Sequence, residues 1–247
     1  MSFFLNMVLL SCICFECAYA KTDVRSYSFL DNLAQSAGTD KSSLWHNYTK
    51  LYAKLFASFK NNKIKFLEIG ISEGNSVELW ERYFPKAEMH FIDISSAAIK
   101  YQPVRAQYHF LDQSNSIELK SFIDKVGGDF DVIIDDGGHT MEQQKVSFNV
   151  LFPYVKSGGM YIIEDLSTSY WASYGGGPGE KGAPELGVDT TTEMLKQMID
   201  DVNYTGGKMS CADFNKVPKE IVDQMTYNQA HIESIHFYSN ICVIFKR

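Results

Sequence analysis

The 247-residue chain contains no apolar run of the roughly 18 residues needed to span a bilayer. It has no internal repeat at solenoid periods, which excludes stacked-repeat architectures. Positive charge is in deficit: 23 Lys and Arg face 30 Asp and Glu, for a formal net charge of −7. A general nucleic-acid binder needs a basic surface to neutralise phosphates, so that class is excluded. Cysteine is scarce and badly spread for structural work. Cys12, Cys14 and Cys17 fall near the start, leaving Cys211 and Cys242. Two distant thiols make neither a disulfide framework nor a zinc site; they read as ordinary packed thiols, with a single bridge between them as the alternative. The G-x-G-x-x-G fingerprint of dinucleotide binding is not met after the first β-rich run, where Ser72 and Asn75 stand at its second and third glycine positions. What remains is an ordinary globular composition, 45% hydrophobic and 21% charged. It excludes disorder, collagen and coiled coil and is long enough to bury a core without staples.

The first residues differ from the rest. Phe3 to Phe15 is almost wholly apolar and leads to Ala18-Tyr19-Ala20 and Lys21. This pattern reads as a secretory signal peptide over residues 1–20, although no Lys or Arg precedes the apolar stretch and Glu16 sits near the cleavage point. An uncleaved anchor or an upstream extension are the alternatives. A working signal would send the protein to the secretory pathway or beyond; otherwise it is cytoplasmic. Residues 21–60 read as a helical cap and 61–247 as the main domain. Within it, residues 166–188 are rich in Gly, Ser, Tyr and Pro. A loop of that length is usually functional or disordered, and Tyr170, Trp171 and Tyr174 favour a lid over a linker.

From about residue 62, β-rich runs alternate with helical patterns. Strands are expected at Ile64–Ile69, Met89–Ile94, Gln107–Leu111, Phe130–Ile134 and Met160–Ile163. Helices are expected at Val77–Tyr83, Ile117–Val126 and Met141–Val155. Apolar strands separated by helices indicate βαβ units. Two further β-rich runs between Ile232 and Phe245 flank Ser239-Asn240, a hairpin signal. The expected fold is α/β: a Rossmann-like, seven-stranded, mostly parallel sheet with helices on both faces and a C-terminal antiparallel hairpin.

Chemistry-bearing residues fall at the carboxyl ends of these strands, the edge along which open α/β sheets bind ligands. The first strand runs into Glu68-Ile69-Gly70-Ile71-Ser72-Glu73-Gly74, an E-x-G-x-x-x-G pattern like the S-adenosyl-L-methionine (SAM) site of class I methyltransferases. Gly70 and Gly74 would let backbone approach a ligand, or serve only the turn. Asp93 ends the second strand, where an acid can accept from both ribose hydroxyls or cap a helix. Asp112-Gln113-Ser114 follows the third and suits adenine edges or a turn. Asp135-Asp136-Gly137-Gly138-His139 follows the fourth strand and Glu164-Asp165 the fifth. Adjacent strands lie about 5 Å apart, so these acids converge. Crowded carboxylates repel unless a cation neutralises them, and an all-oxygen set suits Mg²⁺ or Mn²⁺. The competing reading is solvated loop acids that cap the next helices. His139, three residues past Asp136, is placed to act as a general base.

The segments GTDKSSLWHNYTKLY (Gly38 to Tyr52), FLEIGISEGNS, FIDI, LDQS, DVIIDDGGH, YIIEDL and the TSYW–ASYGGG region resemble the metal-dependent sugar O-methyltransferases of the macrocin type, over most of the chain from about residue 36. The resemblance implies a metal held by Asp136, Glu164 and Asp165, with His139 catalytic. It implies a SAM site that uses Glu68, Gly70, Gly74 and Asp135, with Asp93 at the ribose and Gln113 near adenine. It further implies a small-molecule or glycan acceptor and a possible homo-oligomer. Lys41, His46, Tyr48 and Tyr52 are candidates to close over the methionine end of SAM. Three other readings compete: a catechol or phenolic-diol O-methyltransferase, a cephalosporin-hydroxylase-like relative dependent on iron and oxygen, and a non-catalytic SAM-binding protein.

Overall fold

The computed structural model describes residues 24–178, 186–210 and 213–247. The signal-peptide reading over 1–20, the middle of the expected lid and Cys211 lie outside the described residues. The chain divides into two compact units: Met1–Lys63 with Glu73–Ala87 and Lys100–Arg105, and Ile64–Ser72 with Glu88–Ile99 and Ala106–Arg247. No helix among the described residues is long and apolar enough to cross a membrane.

The first unit is helical: α1 (residues 24–37), α2 (Thr49–Leu55) and α3 (Asn75–Tyr83). Its interior is aromatic. Tyr52 and Phe56 stack at 5.0 Å, and Trp80 meets both edge-on at 5.5 and 5.6 Å, the offset arrangements that ring quadrupoles prefer. Asp31 anchors the loop after α1 by accepting from Ser43 N–H (2.7 Å) and Thr49 Oγ1 (2.7 Å). Burial raises its carboxyl pKa, but the hydrogen bonds from Ser43, Thr49 and Gln35 outweigh this and hold it below the ordinary value. Gly74 caps α3 at φ 94°, a backbone conformation open to glycine at little cost.

The second unit carries the sheet: β1 (Lys65–Ile69), β2 (Glu88–Asp93), β3 (Gln107–Phe110), β4 (Phe130–Asp135), β5 (Val155–Ile163), β6 (Ile232–Tyr238) and β7 (Ile241–Lys246). The order is β3-β2-β1-β4-β5-β7-β6. Pairs through β5 are parallel, while β7 runs antiparallel to both β5 and β6. The chain builds outward from β1 to β3, then returns to lay β4 on the other side of β1. That reversal opens a crevice at the carboxyl ends of β1 and β4.

β1, β4 and β7 are almost wholly buried, as strands covered on both faces must be. Helices α4 (Ser116–Val126), α5 (Met141–Leu151) and α6 (Thr191–Met209) belong to this unit, followed by the short α7 (Lys219–Val222) and α8 (Tyr227–His231). α4 starts where Asn115 accepts from Ile117 and Glu118 N–H. α5 starts with a Thr140–Gln143 capping box. The core joins Leu67, Ile133, Phe148, Tyr161 and Ile244. The expected sheet, its seven strands and its terminal hairpin are all present; α6 is an addition.

One buried polar cluster lies away from the crevice. His90 Nδ1 meets His109 Nε2 at 3.0 Å, and His90 Nε2 meets Glu88 at 2.9 Å. Burial, then the His90 and Lys125 charges, push His109 down to about 4. Burial also lowers His90, against the raising effect of Glu88. A histidine whose folded pKa lies below its unfolded value of about 6.5 favours the fold fully only above that pH. Stability should therefore fall by about 1–2 kcal/mol between pH 6.5 and 4, with His109's part exposure already allowed for. Urea unfolding of the wild type and of His109→Gln at pH 7 and 4.5 checks this, because the variant should lose that part of the pH dependence.

Candidate active site

The carboxyl tips of β1, β4 and β5 continue their main-chain ladder past the strands. Asp136 N–H donates to Ile69 O (3.0 Å) and Glu164 N–H to Asp135 O (3.0 Å). Gly70 sits at φ 101°, and a Cβ there would lie 2.0 Å from the Asp136 carbonyl oxygen. The glycine thus admits the β4–α5 loop against β1. Gly70→Ala should lower stability by more than about 2 kcal/mol, read as a lower denaturation midpoint; a wild-type midpoint would refute the close approach.

Two groups of potential metal ligands share Asp136. One is Asp136, His139 and Asp165; the other is Glu68, Asp136 and Glu164. His139 Nε2 lies 3.8 Å from Asp136 Oδ1 and 3.5 Å from Asp165 Oδ2. Asp136 thus meets the expected base and each of the other two expected metal-binding acids, with Asp165 in one group and Glu164 in the other. Glu68, assigned to the cofactor from its motif, has its carboxylate with this acid set. Glu68 and Glu164 are buried, while Asp136, His139 and Asp165 are half-buried. Carboxylates are the hard oxygen donors that hold Mg²⁺ or Mn²⁺, and each group contains at least two of them, so the residues fit such a cation. His139 (φ 57°) and Asp165 (φ 55°) both occupy the left-handed region. Non-glycine residues there carry a strain that clusters at functional sites.

Beside the acids lies a cleft of about 200 Å³, lined among others by Gly70, Ile92, Asp93, Ile94, Leu111 and Asp136. Asp93 Oδ2 accepts from Ile71 N–H (2.9 Å) and Ser72 N–H (3.1 Å), and Oδ1 from Ser95 N–H (3.1 Å). It therefore ties the end of β2 to the glycine turn and still lines the cleft. Ile94 is 68% exposed. An exposed isoleucine beside a carboxylate, with Ile92 and Leu111 near, suits a flat heteroaromatic ring that carries vicinal hydroxyls. The donors fit an adenosyl group.

Two expected cofactor residues also have protein partners. Gln113 lines the cleft, but its Nε2 donates to Asp135 (3.0 Å) and its Oε1 accepts Gly138 N–H (2.9 Å). A Cβ on Gly137 would fall 1.9 Å from that oxygen, so Gly137 is small because Gln113 lies over it. Asp135 is fully buried and also accepts from Ser147 and from Tyr161 (3.2 Å). Burial raises its carboxyl pKa despite these donors. Asp135 lies outside the lining of the cleft and bears on it through Gln113. The β1–α3 turn lies in both compact units, and Gly74 belongs to the helical one.

Two residues without an expected role act here. Gln144 on α5 donates to the Glu164 carbonyl oxygen (2.9 Å), and Asn240 donates to Asp165 Oδ1 (2.8 Å). Neither has a local sequence signal beyond the hairpin that contains Asn240. The start of the expected lid forms two 3-10 helices, Leu166–Tyr170 and Ala172–Tyr174, with the Trp171 and Tyr174 rings 5.7 Å apart. Of the residues expected at the methionine end, Tyr52 is fully buried among the aromatics of the helical unit and His46 stacks on Tyr48 at 5.0 Å.

The chain is 32% identical over 205 residues to L-olivosyl-oleandolide 3-O-methyltransferase of Streptomyces antibioticus, an alignment that covers 80% of this chain and 52% of that one. It is 29% identical over 239 residues to demethylmacrocin O-methyltransferase of Streptomyces fradiae, covering 93% and 54%. The solved structure of MycE methyltransferase from the mycinamycin biosynthetic pathway, in complex with Mg, SAH and mycinamycin VI, superposes with a TM-score of 0.72. That match has 27% identity and covers 88% of this chain and 53% of the other. No protein-family model matches. The chain spans about half the length of these relatives. The sheet order and the loops at its carboxyl edge are those of a class I methyltransferase fold. In sequence the chain is similar to these sugar O-methyltransferases over most of its own length.

Proposed function

We propose that the protein is a SAM-dependent, divalent-cation-dependent O-methyltransferase that acts on a hydroxyl of a sugar or glycosylated small molecule. The observation that carries this is the pair of ligand groups that share Asp136, one with His139 and Asp165 and one with Glu68 and Glu164, beside a cleft lined by Gly70, Asp93 and Asp136. The named substrates of the relatives, and the Mg and SAH bound by MycE, support the choice of cofactors and acceptor.

In this reading Asp136, Glu164 and Asp165 hold the cation, with Glu68 behind them. A bound divalent cation supplies Lewis acidity, which lowers the pKa of an alcohol and orients it. Asp93 accepts from the ribose, while Ile92, Ile94 and Leu111 exclude water from the adenine. Alignment of the acceptor oxygen with the methyl carbon and sulfur is worth roughly 7–11 kcal/mol. His139 receives the acceptor proton at a ring nitrogen. Tyr170, Trp171 and Tyr174 offer faces for a pyranose. Transfer of labelled methyl from SAM to a panel of free and glycosylated alcohols, with and without EDTA, tests the reading. Transfer to a sugar that chelator abolishes is expected. Full activity in EDTA overturns the cation, and transfer only to catechols overturns the acceptor class.

A further inference from the structure

We infer that Asn240, at the tip of the β6–β7 hairpin, is a positioning residue that commits Asp165 to the acidic cluster. The inference rests on the cation reading above. Asp165 is the N-cap of the 3-10 helix Leu166–Tyr170, yet its side chain makes no capping hydrogen bond. An aspartate at that position ordinarily accepts from the second or third N–H of its own helix. Asn240 takes that duty. Its main-chain carbonyl accepts Leu166 N–H (3.1 Å), and its Oδ1 accepts Ser167 N–H (2.7 Å).

The same amide then donates from Nδ2 to Asp165 Oδ1 at 2.8 Å. That bond fixes the rotation of the carboxylate, whose other oxygen lies 3.5 Å from His139 Nε2. A strand hairpin 75 residues away along the chain thus caps the helix and aims the acid. The alternative of loop acids that merely cap their own helices fails at Asp165, because another residue does the capping.

The turn chemistry allows a clean test. Asn240 sits at φ 67° in a two-residue hairpin turn, where glycine satisfies the backbone at least as well. Asn240→Gly therefore keeps the turn and deletes the amide. Asn240→Ser is a second variant, since serine adopts similar φ at Ser72 and Ser210 in this chain and its hydroxyl is too short to reach Asp165. Calorimetric titration of the full chain with Mn²⁺ should give binding 10–100-fold weaker in both variants, the usual loss when a partner of a metal ligand is removed. The metal-free melting temperature should fall only slightly, through the lost bond to Ser167 N–H, and affinity for S-adenosylhomocysteine should stay near wild type; a merely structural role would not single out the Mn²⁺ affinity. Wild-type Mn²⁺ affinity in Asn240→Gly, or in Asn240→Ser should the glycine variant misfold, overturns the assignment of Asn240 alone. A wild-type chain that binds no Mn²⁺ overturns the cation reading together with it.

Discussion

Replacing His139 with asparagine should cut methyl transfer by about 10²–10⁴-fold, the range a general base supplies, and leave adenosyl binding unchanged. The imidazole is the one basic group among the ligands that share Asp136. Its Nε2 faces Asp136 and Asp165 while its Nδ1 is buried without a hydrogen-bond partner. Asparagine is the better probe than alanine because it tolerates the φ of 57° at this position. Loss of activity then reports chemistry rather than a disturbed turn. His139 is outside the lining of the adenosyl cleft, so the dissociation constant for S-adenosylhomocysteine should hold. Turnover within tenfold of wild type would remove His139 as the base.

Asp136→Asn should be as damaging as exhaustive chelation, with methyl transfer down more than about 10³-fold. Asp136 is the only residue common to both potential ligand groups, so its loss leaves each one donor short. Its backbone carries the N–H bond to Ile69 and the tight approach to Gly70; asparagine preserves both, and the variant should fold. The thermal readout is separate from activity. Mg²⁺ at about a hundredfold excess over its dissociation constant stabilises a binding protein by about 2.7 kcal/mol. The wild type should therefore melt several degrees higher with Mg²⁺ than with EDTA, and Asp136→Asn should melt at one temperature in both. A variant that keeps the Mg²⁺-dependent rise would show that Asp136 is not a ligand.

Most of the sheet was legible because strands covered on both faces are near-continuous apolar runs, as in FLEI and FDVII, each broken by one acid. β5 was read short: it begins at Val155, and the Lys156-Ser157-Gly158-Gly159 stretch that resembles a turn is its exposed first half, joined to β4 across a register shift. α6 was missed because it follows a glycine-rich segment and contains Gly206-Gly207, although Thr190 starts it with an ordinary cap. At the site, the acids of the β4 and β5 tips were visible as a group because both strands end in them.

The two neighbours Asp135 and Asp136 could not be told apart by composition. Successive side chains leave a strand on opposite faces, so one enters the core under Ser147 and Tyr161 while the other joins the cluster. Glu68 stands in the E-x-G-x-x-x-G motif, and its place beside Asp136 and Glu164 was not legible because those acids follow other strands. Gln144 and Asn240 act through single amides, and a lone amide leaves no periodic trace.

The insertion of β7 between β5 and β6 has a consequence for biosynthesis. β5 is complete by residue 163, but its outer neighbour begins only at Ile241. On the ribosome the nascent domain therefore waits with an open, apolar strand edge, the surface most prone to pair with another chain. Closure is a late, long-range event, and it also delivers Asn240 to Asp165. Quality control by the cell would thus meet an intermediate whose parallel half is built and whose acidic pocket is still unfinished.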